Sequence, residues 1–216
     1  MFIYVVYITH GVINHLSWQV EMKNTNCKYF IFHKPYGVLC QFYDSQKRIT
    51  LALYGPFPKD VYPVGRLDMD SEGLLLLTND GRLKHHLLNP KFQHPRTYLV
   101  QVERIPNEEA LKKLRKGVII ESKKTLPAEV NLLLSEPKLK PRVVPIRFRK
   151  NIPTAWLKMT IYEGRNRQIR KMTAAVGHPT LRLVRIKIGP LALGELQSGE
   201  WRELTVLELK ELMNYS

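Results

Sequence analysis

Arg66, Asp68, Asp70 and Glu72 alternate through one short run, GRLDMDSEG, at residues 65–73. Carboxylates at this spacing can do three things. They can edge a solvated turn. They can converge on a hard divalent cation, which wants several oxygens at once. Or one of them, with Asp68 the candidate, can act alone as a catalytic group. Alternation in an extended segment sends all three carboxylates one way, whereas the neighbouring Leu67 argues for a tightly packed loop. Spacing alone leaves the three readings open.

A second concentration of chemistry is YEGRNRQIRKMTAAVG, residues 162–177. Its periodicity predicts a helix over residues 165–176, closed by Gly177. On a wheel of roughly 100° per residue, Ile169, Met172, Thr173 and Val176 form a buried stripe. Arg167 and Lys171 fall nearly opposite, where they can meet phosphate. Arg170 lies at the border, placed either to reach inward to a carboxylate or to snorkel to solvent.

The whole chain of 216 residues carries 34 Lys plus Arg against 19 Asp plus Glu, a formal net charge of +15. Between Lys138 and Lys187 there are 14 basic residues and one acid, Glu163, so that quarter of the chain carries +13. Arg outnumbers Lys there, and Phe148, Trp156, Tyr162, Ile169 and Leu183 interleave with the charge. A solvated basic face is one reading. The interleaving better suits a folded surface for a polyanion, because neutralising phosphates releases counterions. Cys27 and Cys40 are the only cysteines and have neither CxxC nor zinc spacing, which fits a reducing cytosol. Cys40 is expected in the core.

The elements that must hold these groups read as short strands among a few helices. KYFIFH (28–33) is a strand, the KPYG that follows (34–37) a turn, and Val38 to Tyr43 a second extended stretch. Lys34 and Tyr36 can either build that turn or touch the backbone of a polyanion. GLLLLTNDG gives a buried strand and a turn, and RLKHHLLN a helix ended by Pro90, with His85 and His86 read as surface or helix-packing residues. RTYLVQVE (96–103) alternates as a half-buried strand, with Tyr98, Val100 and Val102 on one face. A helix runs from Pro106-Asn107 to a stop at Gly117, and strands are expected at 118–121, 128–134 and 154–164, in LRLVRIKIG, and in WRELTV. The segment from Pro137 to Pro153 reads as an exposed connection. This order predicts an α+β fold with a mixed, largely antiparallel sheet.

KPYGVL, GRLDMDSEGLLLLTND, RTYLVQVE and GRNRQIRKMT occur in the order in which similar segments occur in the RsuA-type pseudouridine synthases, and the chain resembles that family from residue 28 to about residue 205. The resemblance implies the pseudouridine synthase fold, with helices flanking the sheet and a central RNA-binding cleft. It implies that Asp68 is the catalytic aspartate. Tyr98 matches the tyrosine that stacks on the target base and acts in removing the C5 proton. Arg170 matches the arginine that pairs with the catalytic carboxylate. Arg66 matches a position that, in a related branch, enters the RNA helix as the target nucleotide leaves it, and Ile169 an apolar residue near the bound base. Arg165, Arg167 and Lys171 are expected to bind substrate.

Making pseudouridine breaks an N-glycosidic bond, rotates the base and forms a C–C bond to the same sugar, so neither metal nor cofactor is expected. The KPYGVLCQF opening, the block from IPTAWLKM to TLRLVR and the GEWRELT ending resemble the branch that modifies one uridine of bacterial 23S ribosomal RNA. The expected partner is therefore that RNA or a pre-50S particle, met by a cytoplasmic monomer with no membrane association. Residues 1–27 are expected to form an N-terminal extension without an S4-type module, of which 1–21 are dispensable. Residues 28–208 are the expected catalytic domain and 209–216 a tail or short helix. Three alternatives remain: a pseudouridine synthase acting on a different rRNA uridine; a non-catalytic RNA-binding or ribosome-assembly protein, which explains the charge but not Asp68, Tyr98 and Arg170 together; and a metal-dependent nuclease built on Asp68, Asp70 and Glu72.

Overall fold

The computed structural model describes residues 26–146, 149 and 151–215. The expected dispensable segment 1–21 lies outside them. Eleven strands are present among the described residues: β1 (Tyr29–Lys34), β2 (Tyr62–Pro63), β3 (Glu72–Thr78), β4 (Arg96–Glu103), β5 (Ile119–Ile120), β6 (Lys123–Lys124), β7 (Glu129–Leu132), β8 (Thr154–Ile161), β9 (Thr180–Ile188), β10 (Leu191–Ala192) and β11 (Trp201–Glu203). The α-helices are α1 (Gly81–Leu88), α2 (Glu108–Lys116), α3 (Gln168–Ala175) and α4 (Val206–Tyr215).

Nine of these strands form one sheet in the order β11-β1-β3-β9-β4-β8-β7, with β2 added to β3 and β10 to β9. Every neighbouring pair is antiparallel except β3 with β9. The fold is thus the expected α+β, mixed and largely antiparallel. The parallel pair spans only two registered positions, Glu72 with Val184 and Gly73 with Arg185. It joins two antiparallel halves in the middle of the sheet, directly after the GRLDMDS loop.

Both faces of that sheet are covered, which is why the LLLL run of β3 is apolar without alternation. Leu75 and Leu77 share a core with Phe30, Phe32, Val100, Leu111 and Leu114 of α2, and Ile169 and Met172 of α3. Leu74 and Leu76 turn to the opposite core with Ile31, Val184, Leu83 and Leu87 of α1, and Leu212 of α4. The cap signals act as expected on α2: Asn107 Oδ1 accepts from the Ala110 N–H at 2.9 Å, and Gly117 ends it at φ 82.

Three local expectations change. Val38 to Tyr43 forms no strand beyond a single bridge between Leu39 and Thr50. The helix expected from Arg165 begins at Gln168, because Arg167 takes a left-handed conformation at φ 50 and residues 165–167 form a turn. The C-terminal helix starts at Val206 and crosses the expected domain boundary at 208, burying Leu212.

Candidate active site

The loop before β3 is pinned from several sides. The Leu67 N–H donates to Cys40 Sγ at 3.2 Å, and the Ser71 N–H to the Asp68 carbonyl at 3.0 Å. The Met69 carbonyl accepts from the Gly37 N–H at 2.8 Å and from Lys34 Nζ at 3.4 Å. Lys34 is fully buried, and its ammonium also donates to the Pro35 and Val38 carbonyls at 2.7 Å each. Of the two readings of KPYG, Lys34 takes the structural one: it ties the first turn to the Asp68 loop. Burial pushes its ammonium down to about 8, against the opposing pull of Cys40, Glu72, Asp70 and Asp68.

Gly73 is the other constraint on this loop. At φ 107 its missing side chain lets β9 approach, since a Cβ there would stand 2.2 Å from the Arg185 carbonyl oxygen. Only glycine allows the parallel joint, and the joint fixes where Asp68 emerges.

Asp68 lines a cleft of about 370 Å³ with Arg66, Tyr98, Arg165, Arg167 and Ile169. The structure therefore brings together six of the eight residues singled out in the sequence. Tyr98 and Ile169 are almost fully buried, and Arg66 is exposed. Arg170 and Lys171 do not line the cleft. Lys171 bonds instead to Glu121 at 2.5 Å and Asn166 at 3.1 Å.

Arg170 departs from the expected pairing. Its Nη2 donates to the Asp70 carbonyl at 2.6 Å and its Nη1 to the Thr180 carbonyl at 3.3 Å, while its Nε stands 3.4 Å from the Asp70 carboxylate. The partner is Asp70, not Asp68. Arg167 grips the same Asp70 carboxylate with bonds of 2.9 and 2.7 Å, and its Nη1 is 3.8 Å from Asp68 Oδ2. Burial works to raise the Asp70 carboxyl, but the Arg167 hydrogen bonds and the charges of both arginines hold it below the ordinary carboxylate range.

Glu72 faces elsewhere. It pairs with Arg182 through bonds of 2.9 and 2.8 Å, both side chains almost fully buried. Asp68, Asp70 and Glu72 thus face different partners and do not converge as a cation site requires.

The +13 segment is likewise not a uniform phosphate face. Acids from outside it hold Arg167, Arg170, Lys171 and Arg182, and Glu163 holds Arg165, whose guanidinium also donates to the Lys123 and Lys124 carbonyls. Two arginines of the cleft escaped the sequence reading: Arg96, which donates to the Leu87 carbonyl at 3.1 Å, and the buried Arg185. The available signal was a charge inside the apolar strand LRLVRIKIG, a local conflict of the kind functional sites produce.

One cleft thus gathers a carboxylate, Asp68, an aromatic ring, Tyr98, and several arginines. Residues 28–175 match the family described as RNA pseudouridylate synthase. The ribosomal large subunit pseudouridine synthase E of Vibrio parahaemolyticus is 55% identical over 186 residues, 86% of this chain and 76% of that protein. The protein of the same name from Xanthomonas campestris pv. campestris is 53% identical over 80% of this chain and 92% of its own length. A crystal structure of a pseudouridylate synthase matches with a TM-score of 0.72 and 31% identity, over 87% of this chain and 74% of that one. An H/ACA ribonucleoprotein structure with bound substrate RNA shares the fold alone, at a TM-score of 0.54 and 15% identity over 79% of this chain and 50% of that one. The family match over residues 28–175 and identities of 53–55% over most of the chain make it a member of the RNA pseudouridylate synthase family, an isomerase.

Proposed function

We propose that this chain converts one uridine of bacterial 23S ribosomal RNA to pseudouridine, at the position known as uridine 2457, acting on the free RNA or a pre-50S particle. The observation that carries the reading is the meeting of Asp68 and Tyr98 in one cleft. The names of the relatives, large-subunit synthases E, support the choice of RNA. Asp68 acts at the sugar and base as the catalytic carboxylate. Tyr98 supplies the stacking surface, Ile169 packs near the base, and Arg66 fills the helix that the target leaves. Arg165 and Arg167 meet the RNA backbone at the cleft rim, and Lys171 further along α3.

Arg170 acts on Asp68 through Asp70, by fixing the loop that carries both. Leaving the stack costs the target a few kcal/mol, which base stacking on Tyr98 and phosphate contacts offset. The protein works as a cytoplasmic monomer without metal or cofactor. Among the described residues no helix is long and apolar enough to cross a membrane.

The test is incubation with unmodified 23S transcript in EDTA, followed by carbodiimide mapping of pseudouridine by primer extension. One new stop at a single uridine is expected. No stop with folded protein contradicts the reading, and strand cleavage that EDTA abolishes favours the nuclease.

A further inference from the structure

Five buried side-chain polar atoms lack a hydrogen-bond partner among the described residues, and three belong to residues that line the cleft: Ser71 Oγ, His94 Nε2 and Arg185 Nη2. Arg185 is the costly one, because it carries a charge. It is 3% exposed, and its Nε donates to the Leu74 carbonyl at 2.8 Å. Among the described residues no carboxylate forms an ion pair with it, in contrast to Arg165, Arg167, Arg170 and Arg182. A buried cation without an anion is a large electrostatic cost, and it persists where a ligand completes the arrangement.

The register says where that ligand sits. Tyr98 of β4 and Arg185 of β9 are directly paired, so both side chains stand on the same face of the sheet. A base stacked on Tyr98 lies beside Arg185.

The chemistry says what charge arrives there. When the C1′–N1 bond of the target breaks, the bonding pair stays on N1 and spreads onto O2 and O4 of the uracil. C1′, left electron-poor, is met by the Asp68 carboxylate. C5 then supplies the pair for the new C–C bond, C5 releases its proton and N1 takes one up, so composition is unchanged. Asp68, being anionic, cannot stabilise the departing base. A cation not already neutralised by the protein can. We propose that Arg185 is a further catalytic residue, its guanidinium donating to a carbonyl oxygen of the target uracil and stabilising the negative charge on the base once the glycosidic bond opens. This inference rests on the pseudouridine synthase reading of the cleft. A donor aimed at developing charge acts in the transition state more than in binding.

The test compares wild type, Arg185→Gln and Arg185→Lys in single turnover on an rRNA fragment carrying uridine or 5-fluorouridine at the target. The readout is loss of the N-glycoside, with RNA affinity and thermal melting measured alongside. Fluorine makes the base a better leaving anion. Arg185→Gln is expected to slow uridine turnover about 100-fold and 5-fluorouridine turnover about 10-fold, with RNA affinity unchanged, and Arg185→Lys to recover much of the rate. Equal losses on the two substrates, or a Gln variant as fast as wild type, overturn the proposal. If Arg185→Gln does not fold, Arg185→Lys decides: its ratio of rates on the two substrates must differ from that of wild type, and an unchanged ratio overturns the proposal. Wild type inactive on uridine would instead overturn the reading of the whole site.

Discussion

Arg167 holds the Asp70 carboxylate through two parallel hydrogen bonds of 2.9 and 2.7 Å while standing 3.8 Å from Asp68. Two carboxylates, two residues apart, share one guanidinium, and Asp70 takes the closer contact. The arginine expected to serve the catalytic carboxylate, Arg170, is anchored on the same Asp70. Asp70 therefore ties the Asp68 loop both to α3 and to the turn that precedes it.

Asp70→Asn keeps the shape and removes the charge that both arginines meet. Without that carboxylate Arg167 offers the RNA backbone its full charge, while the Asp68 loop loses a tether. RNA affinity is expected to hold or tighten with a steeper salt dependence, and single-turnover pseudouridine formation to fall about 10-fold, the scale of a lost hydrogen bond to a charged group. Binding titrations across salt, paired with the rate, check this. Weaker RNA binding at an unchanged rate contradicts it.

Glu72→Ala leaves the Arg182 charge buried without a carboxylate, its remaining bond being to the Lys140 carbonyl at 3.0 Å. Removing one partner of a buried pair costs about 3–5 kcal/mol, whereas replacing both partners with apolar residues is often close to neutral. Urea unfolding should show that loss for Glu72→Ala, and recovery of much of it in Glu72→Leu/Arg182→Met. A single variant as stable as wild type would mean that the pair is not closed in solution.

Lys34 gives stability a dependence on alkaline pH. Its folded-state value, about 8, lies below its ordinary 10.5 because the ammonium is buried. Below about 8 both folded and unfolded chains hold the proton, and the fold bears the full burial cost. Between about 8 and 10.5 the unfolded chain keeps a proton that the folded one has shed, so this group's contribution to stability rises with pH. Compared with Lys34→Met, wild type should gain on the order of 1–3 kcal/mol in unfolding free energy across that window. A flat difference between the two proteins contradicts the burial argument.

Much of this arrangement is written in local sequence. RTYLVQVE alternates, and β4 runs from Arg96 to Glu103 as the alternation predicts. Asn107 and Gly117 bound α2 through capping chemistry carried by those two residues themselves. Long-range facts are different. Whether Arg170 meets Asp68 or Asp70 depends on how a loop and a helix 100 residues apart in the chain settle against each other, which no periodicity encodes. Arg167 escapes the helical wheel because its backbone is left-handed, a property of the turn rather than of side-chain spacing. The joint at Gly73 and the isolation of Arg185 become visible only once β3 and β9 are paired.

Asp68→Asn tests the central claim most directly. The amide keeps the side chain's size but is neutral and far less nucleophilic. Mapped on unmodified 23S transcript by carbodiimide primer extension, the variant should bind RNA as wild type does and form no pseudouridine over many wild-type half-times. Turnover near the wild-type rate would contradict the account, and would move the chemistry to another group in the cleft.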